Sequence, residues 1–175
     1  KQRFPQYKSV SAYGDSFNSV GGTSLLIATL DGKDMLIAYG SREKIFKDLT
    51  GEQEDELKLC PLNHYNRLVI NRYFAFTVPV AFGPHAASMG LGDRLGLANY
   101  AHLKALKGSN IRPVLAQQSL RELTLTNRTF DDVIDAAGWA VFKSGWRYGY
   151  AADGDHLKYE KDIAMALKCG CTMIT

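Results

Sequence analysis

From about residue 72 onward, β-rich and helix-patterned segments alternate, and no other feature constrains the fold as much. Residues 72–82 have strand composition, with Pro79, which cannot donate to a ladder, at an end, an edge or a bulge. A loop is predicted over 83–92. A helix follows over 95–106, with Leu95, Leu97, Ala98, Ala101, His102 and Ala105 near one side and Gly108 as its stop. Residues 112–118 read as a short strand, and Ser119 opens a loop. Thr129 caps a helix with acids in its first turn. That helix runs to Lys143 with Val133, Ile134, Ala137, Ala140 and Val141 inward, and Gly145 ends it. Residues 146–150 read as a strand, 161–168 as a helix and 170–174 as a further strand. Repeats of ~30 residues in this order build parallel βα units, as in a (β/α)₈ barrel of about 250 residues or an open doubly wound sheet. The expected fold class is therefore α/β: a partial TIM-like (β/α) barrel holding about the first four βα units.

The first 70 residues read differently. Residues 8–24 are polar and rich in Gly and Ser, an irregular or edge-like stretch. Two β-rich runs, 24–30 and 33–39, flank Asp31-Gly32. This is a strong hairpin signal, because Gly accepts the positive φ of a tight turn. Ser41 is a predicted helix cap, with Ile45, Phe46 and Leu49 as the apolar stripe and Thr50-Gly51 as the stop. Residues 52–59 read as a second, charged helical stretch with a solvated face. The expected organisation is a hairpin and helical extension over 1–70, then half a barrel over 71–175.

Composition excludes several function classes. The chain has 175 residues, 46% hydrophobic and 22% charged, which is enough apolar material for a core. A net charge of +3, with scattered basic residues, argues against nucleic acid as a partner. No run approaches the ~18 apolar residues of a membrane span. Cys60, Cys169 and Cys171 form neither a CxxC pair nor a zinc site and fit a reducing compartment, so a cytoplasmic protein is expected. The chain begins at Lys1 and stops inside an apolar β-rich run, 171–175, and reads as a piece of a longer protein.

Three predicted strand ends carry unusual polar groups. The first is Gly83-Pro-His85 with Gly90-Leu-Gly92-Asp93-Arg94-Leu-Gly96, whose GxGxxxG spacing fails the dinucleotide fingerprint. Its glycines serve either an anion held on backbone N–H groups beside Arg94 or a loop that needs Gly conformations. His85 is a weaker candidate; His102 reads as helix packing and His64 as a loop residue. The second is Gln117-Gln118-Ser119-Leu120-Arg121-Glu122. Two amides ending an apolar strand suit a hydroxyl-rich ligand, and Arg121 a carboxylate. Glu122 reads as a surface cap in a solvent Arg-Glu pair.

The third is Asp153-Gly154-Asp155-His156-Leu157-Lys158. Carboxylates accept protons and neutral imidazole holds divalent metals, so an Asp-Asp-His cluster at a strand end is more than helix capping needs. On an extended strand Asp153 and Asp155 share a face and His156 points away; a turn at the strand end would bring Asp155 and His156 into one pocket. One His does not make a catalytic metal site, which typically has about three protein ligands.

In these segments, together with 113–116 and Ala152, the sequence resembles the tagaturonate epimerase family (also described as tagaturonate/fructuronate epimerases) over roughly residues 80–175. The likeness is faint before residue 70. Gly154 stands where the family has a small residue such as Ala. The resemblance implies a divalent-metal-dependent sugar-acid epimerase on a TIM-like barrel, with Asp155 as proton acceptor and His156 as metal ligand. Further ligands and a second acid/base group would lie in later strands. From the residues themselves, Asp93, Arg94, Gln117, Gln118, Arg121, Asp153 and Lys158 are the candidate substrate-binding residues for a small-molecule sugar acid. A homo-oligomer is possible. The inverted stereocentre is β to the ketone, so its C–H is not acidified by the carbonyl. Removal of the hydroxyl proton, cleavage of the adjacent C–C bond, rotation of the aldehyde and re-addition would invert it, with a transient oxidation as the rival route. A metal-dependent aldolase or sugar isomerase, or a non-catalytic sugar-acid-binding relative, uses the same residues.

Overall fold

The computed structural model describes residues 6–40, 43–84 and 86–175. The chain divides into two compact units, Lys1–Phe74 and Ala75–Thr175.

The first unit is built on an antiparallel sheet. Its strands are β1 (Val10–Ala12), β2 (Asn18–Val20), β3 (Thr23–Leu30), β4 (Lys33–Tyr39), β5 (Glu52–Glu54) and β6 (Leu57–Pro61), in the order β1-β3-β4-β6-β5 with β2 also on β3. The β3–β4 hairpin turns at Asp31 and Gly32, both at positive φ (46° and 84°), as the Asp-Gly signal predicts. The extension is thus a six-stranded sheet rather than a lone hairpin. Residues 52–59 are not helical. They form the β5–β6 hairpin, turning at Asp55 (φ 51°), and the acids of β5 are the exposed edge strand. Leu57 and Leu59 alternate with Lys58, a period that suits a strand. Lys58 itself is buried; its Nζ donates to the carbonyls of Phe46 (2.7 Å) and Leu49 (2.8 Å) at the end of helix α1 (Lys44–Asp48). Ser41, the expected cap of α1, lies outside the described residues, and Glu43 occupies the N-cap position.

Helix α2 (His64–Tyr73) has no counterpart in the sequence reading, where His64 was a loop residue and 72–82 a strand. Asn63 caps it, its side chain accepting from the Asn66 N–H. Asn66 is buried and satisfied: it accepts from Thr50 N and Oγ1 and donates to the carbonyls of Thr50 and Pro61. After α2 come a short 3₁₀ turn, Ala75–Thr77, and extended chain without a ladder.

The second unit is a four-stranded parallel sheet. Its order, β10-β9-β8-β7, is also the order along the chain: β7 (Ser88–Gly90), β8 (Arg112–Ser119), β9 (Ala151–Asp155) and β10 (Met173–Ile174). Helices α3 (Asn99–Leu106), α4 (Leu120–Thr126), α5 (Phe130–Ser144) and α6 (Glu160–Cys169) fill the connections. The alternation is therefore real, but two strands sit elsewhere than expected. The first parallel strand is β7, inside the predicted loop, not 72–82. The third is the polar run 151–155, not the aromatic 146–150. Gly145 (φ 63°) and Gly149 (φ 78°) turn the chain there, and Trp146 Nε1 donates to the Gly149 carbonyl at 2.8 Å, closing a loop. Trp146 and Tyr150 are buried without belonging to a strand, Tyr148 is exposed, and the Tyr150 hydroxyl donates to the Thr77 carbonyl.

α3 begins four residues later than expected and buries Asn99, Leu103 and Leu106; Ala101 and Ala105 face solvent, and Leu95 and Leu97 lie exposed in the loop before it. Ser119 does not open a loop. It caps α4 in a reciprocal box with Glu122. α5 fits its prediction: Thr129 and Asp132 form a capping box, Gly145 ends the helix in the left-handed region, and the five predicted inward residues are buried. Leu115, Ala116, Ile134, Val141, Ala152 and Ala166 are among the residues packed in the core between sheet and helices.

Candidate active site at the carboxyl ends of the parallel strands

In parallel sheets, ligands gather beyond the carboxyl ends of the strands. Here the carboxyl ends of β7, β8 and β9 are neighbours, which brings residues 90–96, 117–122 and 153–158 to one edge, whereas Gly83 and Pro84 precede β7. Register aligns Gln117 with Asp153, Gln118 with Gly154 and Ser119 with Asp155. Side chains alternate, so Gln117, Asp153 and Asp155 share one face. Gln118 and Gly154 share the other, where a Cβ on Gly154 would meet Leu157, Ala166 and Ile174.

Asp155 ends β9. Burial pushes its carboxyl above the ordinary carboxylate range; His156 opposes that shift, and the like charges of Asp153 and Glu122 add to it. His156 adopts a left-handed backbone (φ 54°), so the chain turns instead of sending the imidazole to the opposite face. Its Nε2 comes to 3.9 Å from Asp155 Oδ1, and its side chain is 75% exposed. The two groups thus lie near each other at the strand end, with the imidazole largely in solvent, and the turn that brings them there is a single residue.

Asp153 is 2% exposed and engaged. Its Oδ2 accepts from Gln117 Nε2 (3.1 Å), and both its oxygens accept from Thr175 Oγ1 (3.0 and 2.9 Å). Gln118 is turned to the helix layer and buried: its Oε1 accepts from Arg128 (2.7 Å), and its Nε2 has no partner among the described residues. The two amides thus do not act together, because adjacent strand residues point to opposite faces.

The Gly-rich loop is explained by packing. Side chains on Gly90 and Gly92 would run into Gln117, the first into its amide and the second into its backbone carbonyl. Gly96 (φ 69°) makes room for the Arg128 guanidinium. The Asp93 carboxylate accepts from the N–H groups of Leu95, Leu97 and Ala98 and folds the loop. Burial alone would raise its pKa, but these bonds and that of Gly96 outweigh burial and hold it low. Arg94 Nε pairs with Glu122 Oε1 at 2.8 Å, so Glu122 is the cap and ion-pair partner expected, with Arg94. Arg121, at the start of α4, and Lys158, after β9, are exposed cations with no ionic partner among the described residues. His85 lies outside the described residues. Thr175, Arg128 and the glycine contacts are the parts sequence reasoning missed; each acts through another residue and leaves no motif.

A sequence model of the tagaturonate epimerase family matches residues 13–175. The chain belongs to the tagaturonate epimerase family. It is 47% identical over 116 residues to the tagaturonate/fructuronate epimerase of Thermotoga maritima, which covers 66% of this chain and 24% of that protein. The native crystal structure of the fructuronate-tagaturonate epimerase UxaE from Cohnella laeviribosi superposes with a TM-score of 0.94 at 49% identity, covering 99% of this chain and 35% of that one. A glycerol-complexed form of the same enzyme gives 0.92 at 52% identity, over 94% and 34%. The chain therefore spans between a quarter and about a third of these epimerases.

A divalent cation fits the donor set here only in part. His156 Nε2 is exposed and free to take a cation as a single imidazole donor, with the Asp155 carboxylate 3.9 Å away. Among the described residues no group of three His, Cys, Asp or Glu side chains gathers to complete a site. No helix among them is long and apolar enough to cross a membrane.

Proposed function

We propose that the full-length protein interconverts D-tagaturonate and D-fructuronate in hexuronate catabolism in the cytoplasm, and that residues 75–175 supply the first part of its (β/α) barrel and one wall of its active site. The observation that carries this is the convergence of Asp155 and His156 at the strand ends of a family member. Asp155 takes the proton of the hydroxyl on the carbon to be inverted. Its raised pKa makes it a stronger base than an ordinary carboxylate, closer to the task of accepting a proton near neutral pH. With that proton gone, the electrons of the O–H bond form the aldehyde carbonyl. The adjacent C–C bond then breaks toward the ketone, leaving an enediolate fragment. The aldehyde rotates, the bond re-forms on its other face, and Asp155 returns the proton. The centre inverts with no net change in oxidation state. His156 would hold the divalent cation, which supplies Lewis-acid stabilisation of negative charge on substrate oxygens. Arg121 and Lys158, exposed cations next to the strand ends, would take the substrate carboxylate.

The test is epimerisation of each keto-uronate by the full-length protein, followed by product analysis, in the parent, Asp155→Asn and His156→Ala. Asp155→Asn should abolish turnover and leave metal binding largely intact, whereas His156→Ala should weaken both. Equal loss of turnover and metal in both variants would overturn the role assignment. Tightly bound nicotinamide in the purified protein would overturn the retro-aldol route, and net release of three-carbon fragments would show an aldolase.

A further inference from the structure

We propose that Gln117 presents its carbonyl oxygen, and not its amide nitrogen, to the substrate, as the hydrogen-bond acceptor that demands a hydroxyl at one position of the sugar acid. Asp153 is the positioning residue that fixes this polarity. The inference rests on the epimerase reading of the site.

A glutamine amide has a donor end and an acceptor end and can turn either way. Asp153, as a carboxylate, can only accept. The 3.1 Å contact between Gln117 and Asp153 Oδ2 therefore decides the orientation: the NH₂ group faces Asp153 and Oε1 faces away from it. Thr175 donates to the same carboxylate at 3.0 and 2.9 Å, so Asp153 is held from its other side and does not turn. Asp153 is sealed from solvent while Gln117 is partly open, so the amide is the surface a ligand meets and the carboxylate lies behind it. Oε1 has no hydrogen-bond partner among the described residues, and it is not among their buried unsatisfied atoms. It rests against Gly90, whose missing side chain leaves the space that a Cβ would fill. Gln117 shares its face with Asp155, one strand over, where register places Asp155 a single pleat further toward the carboxyl ends. A fixed acceptor next to the proton-accepting carboxylate binds a substrate O–H and repels a carbonyl or carboxylate oxygen. It discriminates by the hydroxyl hydrogen, the kind of contact that rejects an analogue lacking it.

The experiment measures kcat/KM of the full-length protein for the keto-uronate and for its set of mono-deoxy analogues that keep the reacting hydroxyl. The parent, Gln117→Ala, Asp153→Asn and Gly90→Ala are compared. The readout is the ratio of natural substrate to analogue within each protein, which partial unfolding does not move. In the parent, one analogue should lose roughly tenfold or more, as expected for the loss of one hydrogen bond. That loss should vanish in Gln117→Ala. It should shrink in Asp153→Asn, where the amide is free to turn, and in Gly90→Ala, where a methyl group displaces Oε1. If Gln117→Ala does not fold, Gly90→Ala carries the same test. A parent that epimerises but shows the same ratios as all three variants overturns the role of Gln117 alone. A parent with no epimerase activity overturns the functional reading beneath it.

Discussion

Replacing Gly90 by Ala tests the packing of the site in a way that can be worked out beforehand. Gly90 is not at positive φ, so its backbone does not oppose a side chain. The obstacle is Gln117, whose amide carbon would lie 3.1 Å and its nitrogen 3.0 Å from the new Cβ, with the oxygen closer still. The amide must swing away and give up its bond to Asp153. A hydrogen bond to a charged acceptor contributes about 1.5–3 kcal/mol. Against this, Gly→Ala at a compatible site stabilises by about 0.4–1 kcal/mol through the unfolded chain. The net expectation is a loss of about 1–2 kcal/mol. With Gln117 already changed to Ala, the obstructing amide is gone, and the same Gly90→Ala change should be neutral or stabilise by up to about 1 kcal/mol. The coupling between the sites is then about 2 kcal/mol, large for one pair. Gly92 provides the control. Its Cβ would strike the Gln117 backbone carbonyl and come within 2.9 Å of the Gln117 Cβ, so Gln117→Ala cannot relieve it. Urea unfolding of the full-length single and double variants gives the cycle. An equal cost of Gly90→Ala in both backgrounds would refute the contact argument.

Asp155→Asn should stabilise the fold while it abolishes turnover. Burial lifts the native carboxyl above the ordinary 3.8, so the folded state binds that proton more tightly than the unfolded chain does. This contribution is complete below 3.8 and is lost as pH rises through the raised native value. The variant, lacking the desolvated charge, should melt higher than the parent at pH 7, by a margin that closes as pH falls toward 3.8; a lower Tm at pH 7 would contradict this. Thr175→Val leaves buried Asp153 with one donor and should cost about 1.5–3 kcal/mol by denaturant unfolding, while Thr175→Ser should restore it. Thr129→Ala removes half of the α5 capping box and should cost about 0.5–2 kcal/mol, with faster amide exchange confined to the first turn of α5.

Where local chemistry decides, the sequence is readable. Asp31-Gly32 sets the β3–β4 turn, Thr129 and Gly145 bracket α5, and the helix read over 161–168 is α6. Where neighbours decide, it is not. The β9 residues Ala-Ala-Asp-Gly-Asp are poor strand formers, yet β8 and β10 pair with them on both sides. The residues 146–150 look like a strand because aromatics favour strands, but two left-handed glycines make them a loop in which Trp146 and Tyr150 are buried and Tyr148 is exposed. The acids of 52–54 suggest a solvated helix and are a solvated edge strand instead. At the site, Asp155 and His156 were legible as a pair of chemical groups next to each other in sequence, and only the left-handed turn at His156 had to be seen. The division of labour between Gln117 and Gln118 follows from strand alternation, once β8 is known to include both. Thr175 and the Gly90–Gln117 contact depend on register between strands far apart in the chain, which composition and spacing do not encode.

The central claim is that Asp155 accepts the proton of the hydroxyl on the inverting carbon. A crystal structure of full-length Asp155→Asn protein with D-tagaturonate bound tests it most directly. The account predicts that hydroxyl within about 2.6–3.2 Å of the residue 155 side chain, the reach required of a proton acceptor. A bound sugar acid whose inverting carbon faces another residue, with position 155 out of reach, would contradict it.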